Sequence, residues 1–289
     1  MASTQAFREL TGHRVRIKAV DIGANPIDGT PPYANLLRAG DAEVVGFEPN
    51  PEALAVLQTK KGPFETYLPH AIGDGGRHTL KVCRAPGMTS LLTPNTDVLK
   101  LFHGFPEWGA VTMTIPVDTR RLDDIPETTG IDLIKIDIQG AELMALQNAQ
   151  DRLKDALVIQ TEVEFVPLYV NQPLFSDVDQ FLRSRGFAFH RFYPVISRVM
   201  RPFLLNNDIY AGLSQLVWAD AIFVKDFMHV ERISNFQLLK AAAILHDCYQ
   251  SFDLVLFLLT EYDGRTGDAV APRYLSGLNS PDAVPGTLM

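Results

Sequence analysis

The stretch VDIGANPIDG, residues 20–29, is the part of the sequence that decides the fold. Val20 and Ile22 are apolar and lead into a turn marked by Gly23. A strand followed by such a turn is typical of the edge of an α/β sheet that receives a nucleotide. Asn25 stands where a dinucleotide-binding loop usually has its second glycine. Because asparagine enters positive φ more readily than most residues, the sequence still allows the turn.

Strands and helices alternate on both sides of this turn. Strands are predicted in RVRIKAVDIG, AEVVGFEP, ETYLPHAIGD, IDLIKIDIQ and DALVIQTEVEF, and FAFHRFYP with LVWADAIFVKD predicts a final hairpin. Residues 75–129 break the rhythm with short strand-like pieces, which predicts a β-rich insertion over one end of the sheet. The pattern therefore predicts an open, mostly parallel α/β sheet, with its ligand at the carboxyl ends of the strands.

Composition excludes several classes of protein. The chain has 289 residues, a net charge of −8 and a pI near 5.4, which argues against a surface that binds nucleic-acid phosphates. Cys83 and Cys248 are far apart, so neither a disulfide framework nor a structural zinc site is expected. No apolar run approaches the ~20 residues that cross a bilayer. We expect a soluble, cytoplasmic protein that binds neither nucleic acid nor membrane.

The second predicted strand ends in an acid that suits a nucleoside cofactor. Glu48 in FEPNP can accept hydrogen bonds from the two hydroxyls of a ribose. The alternative is that Asp21 and Glu48 are solvated strand ends. No tyrosine has a lysine four residues later and no Gly-Lys pair occurs, which disfavours a short-chain dehydrogenase and a phosphate-binding P-loop. A cofactor with a ribose and little phosphate remains.

Several blocks of the sequence resemble one family. The blocks DIGAN, GFEPNP, HAIGDG, GMTSLL, PVDTRRLDDI, IDLIKIDIQGAEL and QTEVEFVPLYVNQPLFSDVDQFLRSRGF occur in the order seen in the FkbM family of S-adenosylmethionine-dependent methyltransferases. The resemblance covers roughly residues 15–227, and KIDIQGAE is its most specific block. It implies a seven-stranded, Rossmann-like class I methyltransferase sheet of order 3-2-1-4-5-7-6. One departure is PID before Gly29, since members commonly have glycine two residues after the asparagine.

The resemblance implies S-adenosyl-L-methionine as the cofactor and assigns residues to it. The methionine and sulfonium side would be lined by Asp21, Gly23 and Asn25, the ribose would be held by Glu48, and the adenine would be read by Ala71, Ile72 and Asp74 at the end of the third strand. Strand packing is an equal alternative for Ala71 and Ile72. A simple turn in GDGG is the alternative for Asp74.

Catalysis requires positioning and the removal of one proton from the acceptor. The predicted catalytic residues are Asp137, Glu162 and His190, with Glu142 and Glu164 as further acids. Glu142 could instead stabilise a helix N-terminus. His190 could simply be satisfied between two phenylalanines. Asp137 and Glu162 alone make an incomplete magnesium site, so we predict no metal and metal-independent turnover.

The chain is predicted to have three parts. Residues 1–229 form the methyltransferase domain, 230–264 a helical extension and 265–289 a patternless, flexible tail. The apolar faces of the extension either dock on the parent domain or form a homodimer interface. Docking is the simpler expectation.

The predicted function is S-adenosylmethionine-dependent O-methylation of a small-molecule hydroxyl acceptor. A sugar, a polyketide and another small metabolite all remain open as acceptors. The alternative from another class is a scaffold module that binds the cofactor without chemistry, which has no need for Asp137, Glu162 and His190.

Overall fold

The computed structural model describes residues 5–25 and 29–278. Within them lie the strands β1 Ile17–Ile22, β2 Ala42–Phe47, β3 Glu65–Leu68, β4 Ala71–Ile72, β5 Arg77–Cys83, β6 Val111–Arg120, β7 Leu133–Ile136, β8 Val158–Glu164, β9 Phe187–Ser197 and β10 Leu216–Lys225. The helices are α1 Phe7–Thr11, α2 Ala34–Arg38, α3 Pro51–Lys60, α4 Thr96–Leu99, α5 Phe105–Trp108, α6 Glu142–Gln147, α7 Gln150–Asp155, α8 Phe175–Ser184, α9 Asn235–Asp247, α10 Phe252–Thr266 and α11 Val270–Leu278.

The main sheet has the order β3-β2-β1-β7-β8-β10-β9. Counted along the chain within this sheet, the order is 3-2-1-4-5-7-6, as the resemblance implies. Strands β1, β2, β3, β7 and β8 are parallel, and β10 runs antiparallel to both neighbours. The central parallel strands β1, β7 and β8 are buried along nearly their whole length because helices cover both faces of the sheet. Their carboxyl ends therefore meet along one edge, where the ligand of such a sheet lies.

Strands β5 and β6 of the insertion form a second sheet together with β4, in the order β4-β6-β5. Ala71 and Ile72 form β4 and pair with the end of β6. The prediction that they end the third strand of the main sheet is therefore wrong: β3 stops at Leu68. Pro69 follows at once, and a proline cannot donate a backbone hydrogen bond to a sheet.

The C-terminal helices α9, α10 and α11 pack with α1 on one face of the main sheet, in a single core with residues of β1, β7, β8 and β10. The prediction of a flexible tail from residue 265 is wrong for residues 265–278. Helix α10 continues to Thr266, and α11 buries Val270, Tyr274 and Leu278. These three residues are spaced by four, which places them on one helix face. Residues 279–289 and 26–28 lie outside the described part of the chain.

The opposite face of the sheet packs against α6, α7 and α8. The C-terminal helices dock on the parent domain, as expected from the sequence. A homodimer interface on these helices stays a prediction. Among the described residues, no helix is both long enough and apolar enough to span a bilayer.

Candidate functional site

The turn after β1 joins the ends of three strands. The N–H groups of Gly23 and Ala24 each donate to Phe47 O at 3.0 Å, and Asp137 N donates to Ile22 O at 3.0 Å. Gly23 has φ +82°, and a Cβ on it would lie 2.0 Å from the Asp137 carbonyl oxygen. Only glycine fits this close approach. Asn25 does not have positive φ, so the turn does not use the asparagine conformation that the sequence suggested.

Asp21 lies buried just inside the carboxyl end of β1. Lys135 Nζ donates to its Oδ1 at 3.2 Å, and the Tyr33 hydroxyl donates to its Oδ2 at 2.5 Å. Both oxygens of Asp21 are therefore engaged by the protein. The carboxylate forms the charged floor of the cleft above β1 and β7.

A second polar group continues this floor across β8 and β10. Gln160 Nε2 donates to Asp220 Oδ2 at 2.6 Å, and the Tyr249 hydroxyl donates to Gln160 Oε1 at 3.0 Å. Tyr249 comes from the segment between α9 and α10. The C-terminal layer thus reaches the underside of the cleft.

Glu48 is buried at the carboxyl end of β2. The N–H of Asn50 donates to Glu48 Oε1 at 2.7 Å, and Oε2 receives no hydrogen bond from the described residues. Burial raises the pKa of Glu48; the Asn50 amide opposes this rise and the nearby Asp21 charge adds to it. The side chain is held by one oxygen, and the other can accept a hydrogen bond from a ligand.

Three carboxylates meet where β7 and β8 end. Oxygens of Asp137, Glu142 and Glu162 all lie within 4.8 Å of one another. Gln139 Nε2 donates to Asp137 Oδ1 and to Glu162 Oε2, each at 2.8 Å. The amide of Gln139 therefore bridges two of the predicted site acids.

Glu142 has a structural task in this group. Its Oε1 accepts from the backbone N–H groups of Ile138 at 2.8 Å and Gly140 at 3.1 Å. The side chain thereby holds the loop between β7 and α6. These two hydrogen bonds account for an acid at position 142 better than stabilisation of a helix dipole does, because α6 has only six residues.

Burial is the main cause of the raised pKa values of these acids. It raises the pKa of Glu142 to about 7, and the Asp137 charge adds to the rise. The pKa of Glu162 lies well above its ordinary range because of burial and then Asp137, and burial raises the pKa of Glu164 in the same direction. The acids titrate as a coupled group. A carboxylate of this kind can exchange a proton near neutral pH.

Asp137, Glu142 and Glu162 could also hold a cation, since carboxylate oxygens are the ligands that Mg²⁺ prefers. One oxygen of each is already engaged by an amide group of the protein. The described residues therefore allow a cation site without requiring one. The metal-independent turnover predicted from the sequence stays a prediction.

Gln139 is held at three points in a strained conformation. It has φ +58°, which is uncommon for a residue other than glycine. The Ser90 hydroxyl donates to Gln139 O at 2.6 Å, and the Tyr169 hydroxyl donates to Gln139 Oε1 at 3.2 Å. Backbone strain of this kind concentrates at functional sites. Ser90 belongs to the insertion, so the insertion fixes this loop.

His190 lies apart from the carboxylates. Its Nε2 bonds to Ser251 Oγ at 2.8 Å, on the face covered by the C-terminal helices. Strand β9 is separated from β8 by β10, so about 10 Å of sheet lies between His190 and the β8 strand. Burial lowers the pKa of His190, and Arg191 lowers it further. The geometry does not support His190 as the general base.

Asp74 belongs to the turn before β5. Its Oδ1 accepts from Gly76 N at 2.8 Å, contacts His78 Nε2 at 2.7 Å and accepts from the Thr119 hydroxyl at 3.2 Å. The pKa of Asp74 is lowered first by the His78 contact. The turn interpretation accounts for all of these contacts.

Two cavities flank the Gln139 bridge. A large cleft of about 1070 Å³ is lined by Asp21, Asn25, Lys135 and Asp137, among others. A small cavity of about 140 Å³ is lined by Gly87, Met88, Phe105, Trp108, Gln139, Glu162, Glu164, Leu168, Tyr169 and Trp218. Asp137 faces the first and Glu162 the second, so the bridge connects them.

The sequence analysis did not predict the Gln139 bridge or the aromatic residues that line the small cavity. Gln139 sits inside the signature block KIDIQGAE, and the Gln-Gly pair directly after a strand is a usable sign of a turn with unusual φ. Nothing local marks Trp108, Tyr169 and Trp218, because they come from three separate segments that only the fold brings together.

Comparison with known proteins identifies the family of the chain. The family model described as "Methyltransferase FkbM domain" matches residues 21–189. The "2-O-methyltransferase NoeI" of Sinorhizobium fredii is 31% identical over 169 residues, which cover 55% of this chain and 69% of that protein.

Solved structures give a weaker likeness. The magnesium protoporphyrin IX methyltransferase ChlM from Synechocystis PCC 6803 is 11% identical, with a TM-score of 0.36 and 75% of each chain covered. The precorrin-6y C5,15-methyltransferase from Geobacter metallireducens is 14% identical, with a TM-score of 0.38, covering 76% of this chain and 85% of that one. The fold assignment rests instead on the strand order and on the match over more than half of the sequence. On these grounds the chain belongs to the FkbM family of methyltransferases.

Proposed function

We propose that the protein transfers a methyl group from S-adenosylmethionine to a hydroxyl oxygen of a sugar, a polyketide or another small metabolite. The observation that carries the proposal is the half-engaged carboxylate of Glu48 beside the Gly23 turn. The name of the relative from Sinorhizobium fredii, a 2-O-methyltransferase, supports oxygen as the acceptor atom.

The residues present fit this cofactor. Glu48 offers its Oε2 to the ribose hydroxyls, and its Oε1 stays fixed by Asn50. Asn25 and Asp137 line the cleft at the methionine side. When bound, S-adenosylmethionine supplies a methyl group activated by a positive sulfur. Asp74 leaves the predicted set because its carboxylate is used by the turn.

The acids at the ends of β7 and β8 serve the acceptor. Glu162, in its ionised form, accepts the proton of the acceptor hydroxyl. Its raised pKa makes this carboxylate a stronger base than an ordinary one. Gln139 keeps Glu162 and Asp137 at a fixed separation through its two hydrogen bonds. No cation is needed for this step, so we expect turnover to survive EDTA. Loss of activity that magnesium restores would contradict this expectation.

Glu48→Ala tests the cofactor site. The variant loses charge-assisted hydrogen bonds, each worth about 1.5–3 kcal/mol, so we expect at least about tenfold weaker binding of S-adenosylmethionine by calorimetry. Exposed Glu52, in the first turn of α3, provides the matched control Glu52→Ala. Both variants should keep the melting temperature. Unchanged affinity in Glu48→Ala would remove Glu48 from the site.

Transfer of tritiated methyl groups into a cell extract tests the reaction itself. We expect labelled product from the wild-type protein and little from Glu48→Ala. Binding of the cofactor with no labelled product would favour the scaffold alternative.

A further inference from the structure

The small cavity beside Gln139 has walls of a distinctive composition. Trp108 packs on Phe105 with ring centroids 5.2 Å apart, and Trp218 lies 6.3 Å from the same Phe105 ring. Tyr169 closes one side through its hydroxyl bonds to Met88 O and Gln139 Oε1, each at 3.2 Å. We call this cavity the aromatic pocket.

Both tryptophans are only partly buried, so their rings remain accessible to a ligand. Each ring also contacts a further group: Tyr210 stacks on Trp108 with centroids 5.3 Å apart, and the Arg198 guanidinium lies 4.7 Å from the Trp218 ring centroid. These contacts fix the orientation of the rings. The walls of the aromatic pocket are therefore preorganised, which lowers the entropic cost of binding.

The titratable side chains that line the aromatic pocket include two glutamates, and the Arg198 guanidinium beside Trp218 is not among the lining residues. Glu162 and Glu164 line it, and no lysine, arginine or histidine appears among the described lining residues. A phosphate or carboxylate placed here would be desolvated beside two carboxyl groups, and no lining residue supplies a compensating cation, which is costly. The aromatic pocket therefore selects against anionic groups.

The size of the aromatic pocket limits what enters. Its volume of about 140 Å³ is well below that of cavities that enclose a whole small molecule, roughly 300–1,000 Å³. It admits one ring and leaves the remainder of a larger ligand outside. Flat aromatic walls suit the C–H face of such a ring, and the glutamates suit its hydroxyls.

We infer that the aromatic pocket is the acceptor subsite, and that it takes an uncharged ring whose reacting hydroxyl points to Glu162. The inference rests on the proposed function, because Glu162 is joined through Gln139 to Asp137 at the cofactor cleft. A pyranose and the carbocycle of a polyketide share this chemistry. One wall, Trp218, lies outside residues 21–189 and so outside the family match.

Trp108 and Trp218 are the only tryptophans of the chain, so tryptophan fluorescence reports directly on the aromatic pocket. We would titrate the full-length protein with methyl α-glucopyranoside, with 1,2-cyclohexanediol and with glucose 6-phosphate. For a single ring we expect a saturable change with a Kd on the order of 1 mM. The phosphate should bind at least about tenfold more weakly. The tighter of the two uncharged probes identifies the source of the ring.

Two variants block the aromatic pocket by different means. Leu168→Phe enlarges a buried lining residue, and Gly87→Leu adds a side chain where a Cβ meets no atom within 4 Å. Gly87→Leu keeps the inference testable if Leu168→Phe fails to fold. Each should weaken the binding of the uncharged probe at least about tenfold. The matched control is Met113→Ala, an exposed residue on β6, which should leave probe binding unchanged.

Two results would overturn the inference: no saturable change with either uncharged ring, or tighter binding of glucose 6-phosphate. Calorimetry of S-adenosylmethionine on the same protein separates this failure from failure of the proposed function. Normal cofactor binding and methyl transfer beside a silent aromatic pocket would reject the subsite alone. If the wild-type protein does not bind S-adenosylmethionine, the proposed function is rejected.

Discussion

Buried polar groups are arranged in opposite ways in two regions of the molecule. One region is the carboxyl edge of the sheet, and the other is the C-terminal layer, formed by α1 with α9–α11. At the edge, carboxylates of like charge are brought together, with oxygens of Asp137, Glu142 and Glu162 within 4.8 Å. In the C-terminal layer polar groups have matched partners: Lys240 Nζ donates to Asp132 Oδ2 at 2.7 Å. The edge resembles a site shaped for chemistry, and the layer resembles a stabilising core.

The buried histidine of the C-terminal layer shows the same matching. His246 contacts the Tyr274 hydroxyl at 2.9 Å and Gln5 O at 2.8 Å through its two ring nitrogens. It links α9, α11 and the N-terminal segment. The difference between the two regions teaches that stability and activity should respond to different substitutions, and the following experiments test that separation.

Removal of α11 should have the largest effect. Truncation after Asp268 exposes the sites of Val270, Tyr274 and Leu278, each worth about 1.5–3 kcal/mol on burial. Together they approach the whole stability of an ordinary domain, about 5–15 kcal/mol. We expect the truncated protein to lose its cooperative thermal unfolding transition.

Truncation after Leu278 is the matched control, since it removes no contact that residues 5–25 and 29–278 make among themselves. It should unfold like the full chain. A truncation after Asp268 that melts within a few degrees of the full chain would show that α11 is dispensable, as the sequence pattern first suggested.

Substitution at the carboxyl edge should change turnover while leaving stability nearly intact. We expect Asp137→Ala to lower kcat on the order of 100-fold, because it breaks the Gln139 bridge at the cofactor cleft. His190→Ala, which removes the bond to Ser251 away from the carboxylates, should lower kcat less than about tenfold. Tritium transfer under saturating cofactor measures both. An inactive His190 variant beside an active Asp137 variant would return His190 to the mechanism.

Local patterns in the sequence were sufficient for the fold and part of the site. Apolar runs and the turn residues around Gly23, Glu48 and Asp137 predicted the sheet and the edge where these residues meet, whereas the strand order came from the resemblance to the FkbM family. Such features depend on periodicity and on turn residues that act over short distances. The same logic failed at residues 71–72, where a proline moved a short strand into another sheet.

Long-range packing explains what the sequence left out. His190 follows the pattern of its strand, but the order of β10 and β9 moves it away from Glu162. The Gln139 bridge depends on an insertion residue, Ser90, that holds the loop from 49 positions away. Contacts of this kind are set by tertiary structure, which no local pattern encodes.

Asp247 is an exception within the stabilising layer, and it should give the smallest effect. Phe7 N donates to its Oδ1 at 3.2 Å, yet burial raises the pKa of Asp247 to about 7. An unfolded aspartate has a pKa of about 3.9. Between about pH 4 and pH 7 the folded state therefore keeps a proton that the unfolded state releases, so stability falls as pH rises through this window and levels off above it.

Asp247→Asn should remove this loss, because the amide stays uncharged and its oxygen can still accept the bond from Phe7 N. Full burial would give about 4 kcal/mol for three pKa units; for this partly exposed side chain we expect about 2 kcal/mol at pH 8 and almost none near pH 4. Urea unfolding of both proteins at the two pH values measures the difference, and the acids at the carboxyl edge cancel because both proteins contain them. An equal difference at both pH values would mean that the carboxyl of Asp247 does not hold its proton, and the C-terminal layer would then match its polar groups without exception.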